Sequence, residues 1–170
     1  MPEFREPALS VVATIVVTRD GQALRNARLV ALRTSPESFL SRYETEAGRP
    51  AEWWRRELAR GDWLIAVLDG APVGLLGVTR EPDAADDERF LSYLWVHPQV
   101  RRSGLATTLL TTALDRLRGS GVARVWLWVL DGNHAAWRLY EHLGFGRTGQ
   151  RQLLPGHPAG YEERLALDIT

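Results

Sequence analysis

The stretch from Phe90 to Leu130 constrains the fold more than any other part of the chain. Phe90–Val96 reads FLSYLWV, an apolar run of strand character that ends at His97-Pro98. A short loop, Arg101-Arg102-Ser103-Gly104-Leu105-Ala106, passes at once into an amphipathic run, and a helix is expected over Ser103–Leu117. Leu105, Leu109, Leu110, Leu114 and Leu117 lie along one side of it. Gly119-Ser120-Gly121 ends that helix, and a second apolar run, Val122–Leu130, follows. Strand, helix and strand in this order predict two parallel strands joined by a right-handed crossover. The turn into the helix also carries chemistry. The first N–H groups of a helix have no partner within it and point, with the positive end of the helix dipole, at one spot. Gly104 lets a ligand approach the backbone, Ala106 keeps bulk low, and Arg101 and Arg102 add positive charge. A phosphorylated ligand held mainly by backbone is the expectation.

A second segment, Leu130–Phe145, has helical spacing. Asn133 is suited to cap a helix whose positions Ala136, Leu139, Tyr140 and Leu143 recur on one side, and Gly144 suits the position just past its end. Asn133 and Tyr140 are seven residues apart, which sets an amide and a phenol on one helix face. Taken alone, a capping Asn and a half-buried core Tyr would explain the pair.

Taken together and in this order, the two segments resemble the GNAT superfamily of acetyl-CoA-dependent N-acyltransferases. Arg101-x-x-Gly104-x-Ala106 matches that family's pyrophosphate-loop pattern, (Gln/Arg)-x-x-Gly-x-(Gly/Ala). Asn133-x-x-Ala136-x-x-Leu139-Tyr140-x-x-Leu143-Gly144-Phe145 looks like its later motif. The close match spans residues 90–146. The resemblance implies that Arg101, Arg102, Ser103, Gly104, Leu105, Ala106 and Thr107 hold the pyrophosphate of acetyl-CoA. Leu94, Trp95 and Val96 would offer backbone groups to the pantetheine arm and thioester, with Asn133 hydrogen-bonded to that arm. Tyr140 would stand near the sulfur as general acid. The resemblance also implies that the two parallel strands splay apart to admit the arm.

The remaining chain fits the same layout. Strands are expected at Leu9–Thr18, Trp63–Leu68, Val73–Arg80, Phe145–Leu153 and Tyr161–Ile169, and helices at Asp20–Arg33 and Ala51–Arg60. Asp69-Gly70 signals a hairpin, Pro82–Glu88 a loop, and Phe39–Gly48 is ambiguous. Val122–Leu130 is apolar enough for a central strand covered on both faces. The result is an α/β (α+β) fold in the order β-α-α-β-β-β-α-β-α-β-β. Its sheet is mixed and mostly antiparallel, of about seven strands, with helices on both faces. Residues 1–170 read as one domain.

Composition limits the mechanism. There is no cysteine, which removes disulfides, a thiolate nucleophile and a covalent acetyl-cysteine route. All 21 Lys+Arg positions are arginine, so no lysine can serve as a base. His97, His134, His142 and His157 have no metal-ligand spacing, and no metal is expected. A formal net charge of +0 gives no reason to expect nucleic acid or an anionic membrane as partner. Ala8–Val17 is short, lacks a cleavage site and reads as a strand rather than a signal peptide. No apolar run approaches membrane-spanning length, so a cytoplasmic location is expected.

No carboxylate lies within Phe90–Val96. Glu88 is the nearest base candidate; Asp131, His97 and His157 are others, and an ordered water can also take the proton. For the acceptor, Phe39, Trp53, Trp54, Tyr93 and His157 are the candidate contacts, contributed by the first helices, the central strand and the last hairpin loop. The seven tryptophans read as core, with Trp126 and Trp128 on one strand face, although such aromatics also suit a homodimer interface. A small-molecule amine is the expected acceptor. A protein N-terminal or lysine amine, or a non-catalytic acyl-CoA sensor, are the other readings.

Overall fold

The computed structural model of the protein describes residues 12–170. One seven-stranded sheet organises them, in the spatial order β1-β2-β3-β4-β5-β7-β6. Its strands are β1 (Thr14–Val17), β2 (Gly61–Leu68), β3 (Ala71–Thr79), β4 (Glu88–Val96), β5 (Arg124–Leu130), β6 (Gly146–Leu153) and β7 (Tyr161–Asp168). The helices are α1 (Gly21–Thr34), α2 (Tyr43–Ala47), α3 (Ala51–Ala59), α4 (Leu105–Leu117) and α5 (His134–His142). The ambiguous segment thus contains a short third helix in the first half of the chain. Within the expected strand Leu9–Thr18, residues 9–11 lie outside the described residues and β1 occupies only Thr14–Val17.

Alternation along β2 and β3 builds two cores, one on each face. Trp63, Ile65 and Leu75 pack with Leu24, Ala27 and Ala31 of α1 and Trp54 of α3. Leu64, Ala66, Leu76 and Val78 pack with Leu105, Leu109, Leu110 and Leu114 of α4 and Tyr140 of α5. Leu109 and Leu110 are fully buried, and truncating either to alanine would cost about 2–5 kcal/mol. The Asp69-Gly70 turn has positive φ at both residues (50° and 78°), as a tight two-residue hairpin with the twist of its strands requires.

Among the described residues only β4 and β5 are parallel, and their pairing is brief. Glu88, Arg89 and Phe90 pair with Arg124, Val125 and Trp126, and there the ladder stops. From Leu91 to Val96 the β5-facing edge of β4 is open, so the expected splay is present. β5 itself departs from expectation. Val125, Leu127 and Val129 are buried against α4 and α5, but Trp126 and Trp128 on the other face are only half-buried, because α1–α3 cover the β2–β4 half of the sheet.

A bulge adds to this opening. Leu75 pairs with Trp95 but Gly77 pairs with Ser92, so β4 supplies two residues, Tyr93 and Leu94, opposite Leu76. Tyr93 has a φ of 57°, uncommon for a tyrosine. The extra residue reverses the in/out phase. Leu91 and Leu94 both belong to the α4/α5 core, whereas Tyr93 and Trp95 belong to the α1/α3 core.

Candidate active site

The gap between β4 and β5 is a cavity of about 210 Å³. Its wall includes Ser92, Tyr93 and Leu94 of β4, Trp128 and Leu130 of β5, and Asn133, Ala136 and Tyr140 at the start of and along α5. On the α1/α3 side it meets a second cavity of about 380 Å³, with which it shares Phe39, Ser92, Tyr93 and Trp128. A strand edge with unsatisfied N–H and C=O groups forms one side of the gap, and an extended chain bearing amides could pair with it as a further strand would.

At the far end of β4, Pro98–Val100 makes one 3-10 turn and the chain enters α4 through Gly104. Gly104 is the N-cap of α4, with a φ of 83° and no side-chain cap hydrogen bond. The first helical bond here runs from Thr108 N–H to the Gly104 carbonyl at 3.0 Å, which leaves the N–H groups of Leu105, Ala106 and Thr107 without helical partners. A Cβ at Gly104 would meet nothing within 4 Å. The glycine therefore serves the positive φ, and the space beyond it is open to a ligand. The helix starts two residues later than its sequence suggests, because Ser103 and Gly104 form the turn.

Arg101 does not add its charge to this opening. Its Nη2 donates to Ser35 Oγ at 2.8 Å and its Nε to the Val96 carbonyl at 3.3 Å. Ser35, fully buried at the end of α1, also accepts from Trp95 Nε1 at 3.2 Å. Arg101, though exposed, thus ties the loop to β4 and α1, and Arg102 is the exposed guanidinium without such a tie.

Tyr140 and Asn133 come together as their spacing implies. Tyr140 is buried, with its ring 5.7 Å from that of Phe145, and desolvation pushes its phenol up to about 12. Asn133 caps α5, its Oδ1 accepting from Ala136 N–H at 3.2 Å, so its amide NH2 is the group left for a ligand. Tyr93 lines both cavities, and burial pushes its phenol up while the neighbouring Arg28 opposes the shift.

Other candidates stand elsewhere. Glu88 lies at the closed end of the β4–β5 pair, 3.9 Å from Arg164, and lines neither cavity. Asp131 pairs with Arg151 across a separate surface groove. His97 accepts from Gln99 N–H at 3.2 Å and shapes its own turn. Trp53 and Trp54 line neither cavity: α3 is amphipathic, and its apolar side turns both rings into the core with Leu24 and Trp63. Phe39 does line both cavities. His157 lies in an outer groove of about 910 Å³ that Phe39 and Leu40 join to the inner cavity. No tryptophan is among the exposed large apolar side chains of the described residues.

The carboxylates that do border the inner cavity are Glu81 and Glu162. Glu81 accepts from Arg60 Nη2 at 2.8 Å. Glu162, on β7 opposite Leu130, is 7% exposed, accepts from the Gln152 amide, and has no ion-pair partner among the described residues. Sequence reasoning missed it, since YEERLALD reads as a strand with a solvated acidic start. The one available signal was its position next to the central strand.

Residues 26–145 match the model of the Acetyltransferase (GNAT) family, and the chain belongs to that family. It is 32% identical over 139 residues to a mycothiol acetyltransferase of Brachybacterium faecium, an alignment covering 81% of this chain and 41% of that one. Over 66 residues it is 42% identical to the ribosomal protein bS18-alanine N-acetyltransferase of Escherichia coli, covering 39% of this chain and 45% of that one. The chain thus spans less than half the length of these relatives. Among solved structures, Ard1 from Thermoplasma volcanium superposes with a TM-score of 0.74 at 19% identity, over 94% of this chain and 99% of that one. A PaiA N-acetyltransferase from Thermoplasma acidophilum, in complex with coenzyme A, gives 0.65 at 17% identity, over 93% and 99%. Both likenesses are of fold. No helix among the described residues is long and apolar enough to cross a membrane.

Proposed function

We propose that this chain moves an acetyl group from acetyl-CoA to the nitrogen of a primary amine, by direct attack in a ternary complex. The observation that carries the reading is the β4–β5 gap. It lies between an uncapped helix start and a second cavity, with a buried phenol on its wall. The residues present fit acetyl-CoA. Leu105, Ala106 and Thr107 N–H groups would hold the pyrophosphate, with Arg102 nearby. The open edge of β4, through Leu94, Trp95 and Val96, and the Asn133 amide would hold the pantetheine arm. Acetyl-CoA supplies the thioester.

In the step, the amine nitrogen bonds to the thioester carbon as the C–S bond breaks. Glu162, buried on the acceptor side and without an ion-pair partner among the described residues, would draw the ammonium form, pass its first proton to solvent and take the second as the C–N bond forms, directly or through water. Tyr140 would return a proton to the departing sulfur. A phenol near pH 12 stays protonated throughout the neutral range, so the proton is always present. Donation to a free thiolate would be uphill. In the same dry gap the thiolate's own affinity for the proton rises too, and this narrows the difference. Alignment of the two reactants in adjoining cavities supplies much of the remaining rate.

The acceptor is read as a small-molecule amine, which a cavity of about 380 Å³ accommodates. The outer groove of about 910 Å³ favours a second reading, a protein N-terminal amine whose following residues lie along it. Acetyl-CoA supply would set the reaction in the cytoplasm. The test is incubation with acetyl-CoA and either an amine library or short peptides, read by thiol release and mass spectrometry. Acetylated small amines are expected. Modification of peptides alone would favour the second reading. CoA binding with no acetylation of either would overturn the enzyme reading in favour of a sensor. Lysine-free as it is, the chain offers no side-chain amine to confuse the assay.

A further inference from the structure

The bulge of β4 needs support that tyrosine itself does not supply. Tyr93 stands there at a φ of 57°, a conformation that persists only where the surroundings impose it. Two groups press on its ring. That of Trp63 on β2 lies 5.3 Å away, and the Arg28 guanidinium of α1 lies 4.0 Å from the ring centre. The same guanidinium lies 4.5 Å from the centre of the Phe39 ring. Phe39 and Tyr93 both line the β4–β5 gap and the inner cavity. One cation therefore touches two rings where the two spaces meet.

Arg28 is in turn held from α2. It is 4% exposed, and its Nε and Nη2 each donate to the Glu46 carboxylate at 2.8 Å. α2 has five residues, no side-chain cap hydrogen bond, and Glu46 as its buried residue. Arg25 adds a bond to the Ala47 carbonyl at 3.2 Å. The two-point bond to Glu46 fixes the plane of the guanidinium, which a point charge could not do. Stability alone does not call for such a pair. Apolar side chains of similar volume commonly serve as well in a buried place, because two charges must be stripped of water. What they lack is direction. A planar cation held at two points orients the rings that stack on it.

Resting on the acetyl-transfer reading, we propose that Arg28, oriented by Glu46, is a positioning residue for that reaction. It holds Tyr93 and Phe39 where the gap meets the inner cavity, and through Tyr93 it keeps the bulged edge of β4 aimed at the thioester. It acts through the two rings rather than on the reactants. Its loss misaligns thioester and amine and leaves the coenzyme A contacts at the start of α4 in place.

The test is a paired change, Arg28→Met with Glu46→Leu, which leaves no lone buried charge. Acetyl-CoA is the donor, and the acceptor is the amine that the wild type acetylates fastest in the library. Turnover should fall by about tenfold or more, toward the roughly hundredfold that a misplacement of about 1 Å can cost. The melting temperature and the CoA affinity by calorimetry should hold. In an acetyl-CoA titration followed by NMR, the amide shifts of residues 93–96 should shrink while those of 105–107 keep their wild-type size. Arg28→Lys keeps the charge beside Glu46 without the planar fork, and its turnover should lie between wild type and the pair. It keeps the test decisive if the paired variant does not fold. Wild-type turnover in either folded variant, with shifts along β4 of wild-type size, would overturn the inference and leave acetyl transfer standing. A lowered melting temperature with turnover unchanged below it would do the same, since the pair would then serve folding alone. Acetylation of no amine by the wild type, with CoA still bound, would overturn both.

Discussion

α4 and α5 begin on opposite flanks of the same gap, and they begin differently. α5 is capped by its own chain, with Asn133 satisfying Ala136 N–H. α4 has Gly104 in the equivalent position and no side chain to cap it. A capping residue commonly adds about 1 kcal/mol to a helix, so an uncapped start forgoes stability. α4 recovers it by burying Leu105, Leu109, Leu110, Ala113 and Leu114 against the sheet, which makes a self-sufficient N-terminus unnecessary. Its open N–H groups are then available to a phosphate. The difference separates two ways of meeting a ligand: α4 through backbone, α5 through the side chains Asn133 and Tyr140.

The largest expected effect tests the backbone side. Gly104→Glu adds a negative charge in the open space before α4 and forces a side chain onto a φ of 83°. CoA affinity should fall by more than about a hundredfold, the size of losing several charge-assisted hydrogen bonds. Calorimetry checks it; unchanged affinity would remove the loop from the binding site.

On the side-chain side, Tyr140→Phe should lower turnover by roughly a hundredfold while CoA affinity hardly changes, since the ring packs alike and only the proton is lost. Wild-type turnover would exclude Tyr140 as the acid or show that chemistry does not limit the rate. The same substitution has a signature in stability. The unfolded phenol ionises near 10, the folded one at about 12. Between these values the unfolded chain has released a proton that the folded chain still holds. Stability should therefore fall as pH rises from 10 to 12, by up to about 3 kcal/mol. Denaturant melts across that range should show a shallower fall for Tyr140→Phe than for wild type.

Asn133→Ala should have the smallest effect. Loss of the cap should cost about 1 kcal/mol in a denaturant melt, with a decline in CoA affinity of less than about tenfold. A loss as large as that of Gly104→Glu would erase the contrast between the two helix starts.

The parts of the molecule that were legible in the sequence share a physical cause. Where one residue type answers one local demand, the demand can be read. Gly104 answers an open approach to the backbone, Asn133 a helix start, Asp69-Gly70 a tight turn, and the leucines of α4 a buried face. The crossover and hence the parallel pair follow from these. What was not legible depends on distant neighbours. Tyr93 turns the bulge in β4, yet tyrosine has no preference for its φ of 57°. Trp53 and Trp54 could face a ligand or a core, and only the packing of α3 on α1 and β2 decides. Glu162 comes to border the inner cavity because β7 lies next to β5, and Arg101 is tied to α1 because Ser35 stands at the end of that helix. α2 was hidden by its brevity, five residues held to α1 by the Arg28–Glu46 pair.

We propose that the β4–β5 gap and the uncapped start of α4 form one binding site for coenzyme A. Backbone amide resonances followed by NMR during a CoA titration test it most directly. The largest shifts are expected at residues 102–107 and at 91–96 along the open edge of β4, with smaller ones at Asn133 and Ala136. Unmoved amides in those two stretches, with shifts gathered instead around the groove between α5 and β6, would contradict it.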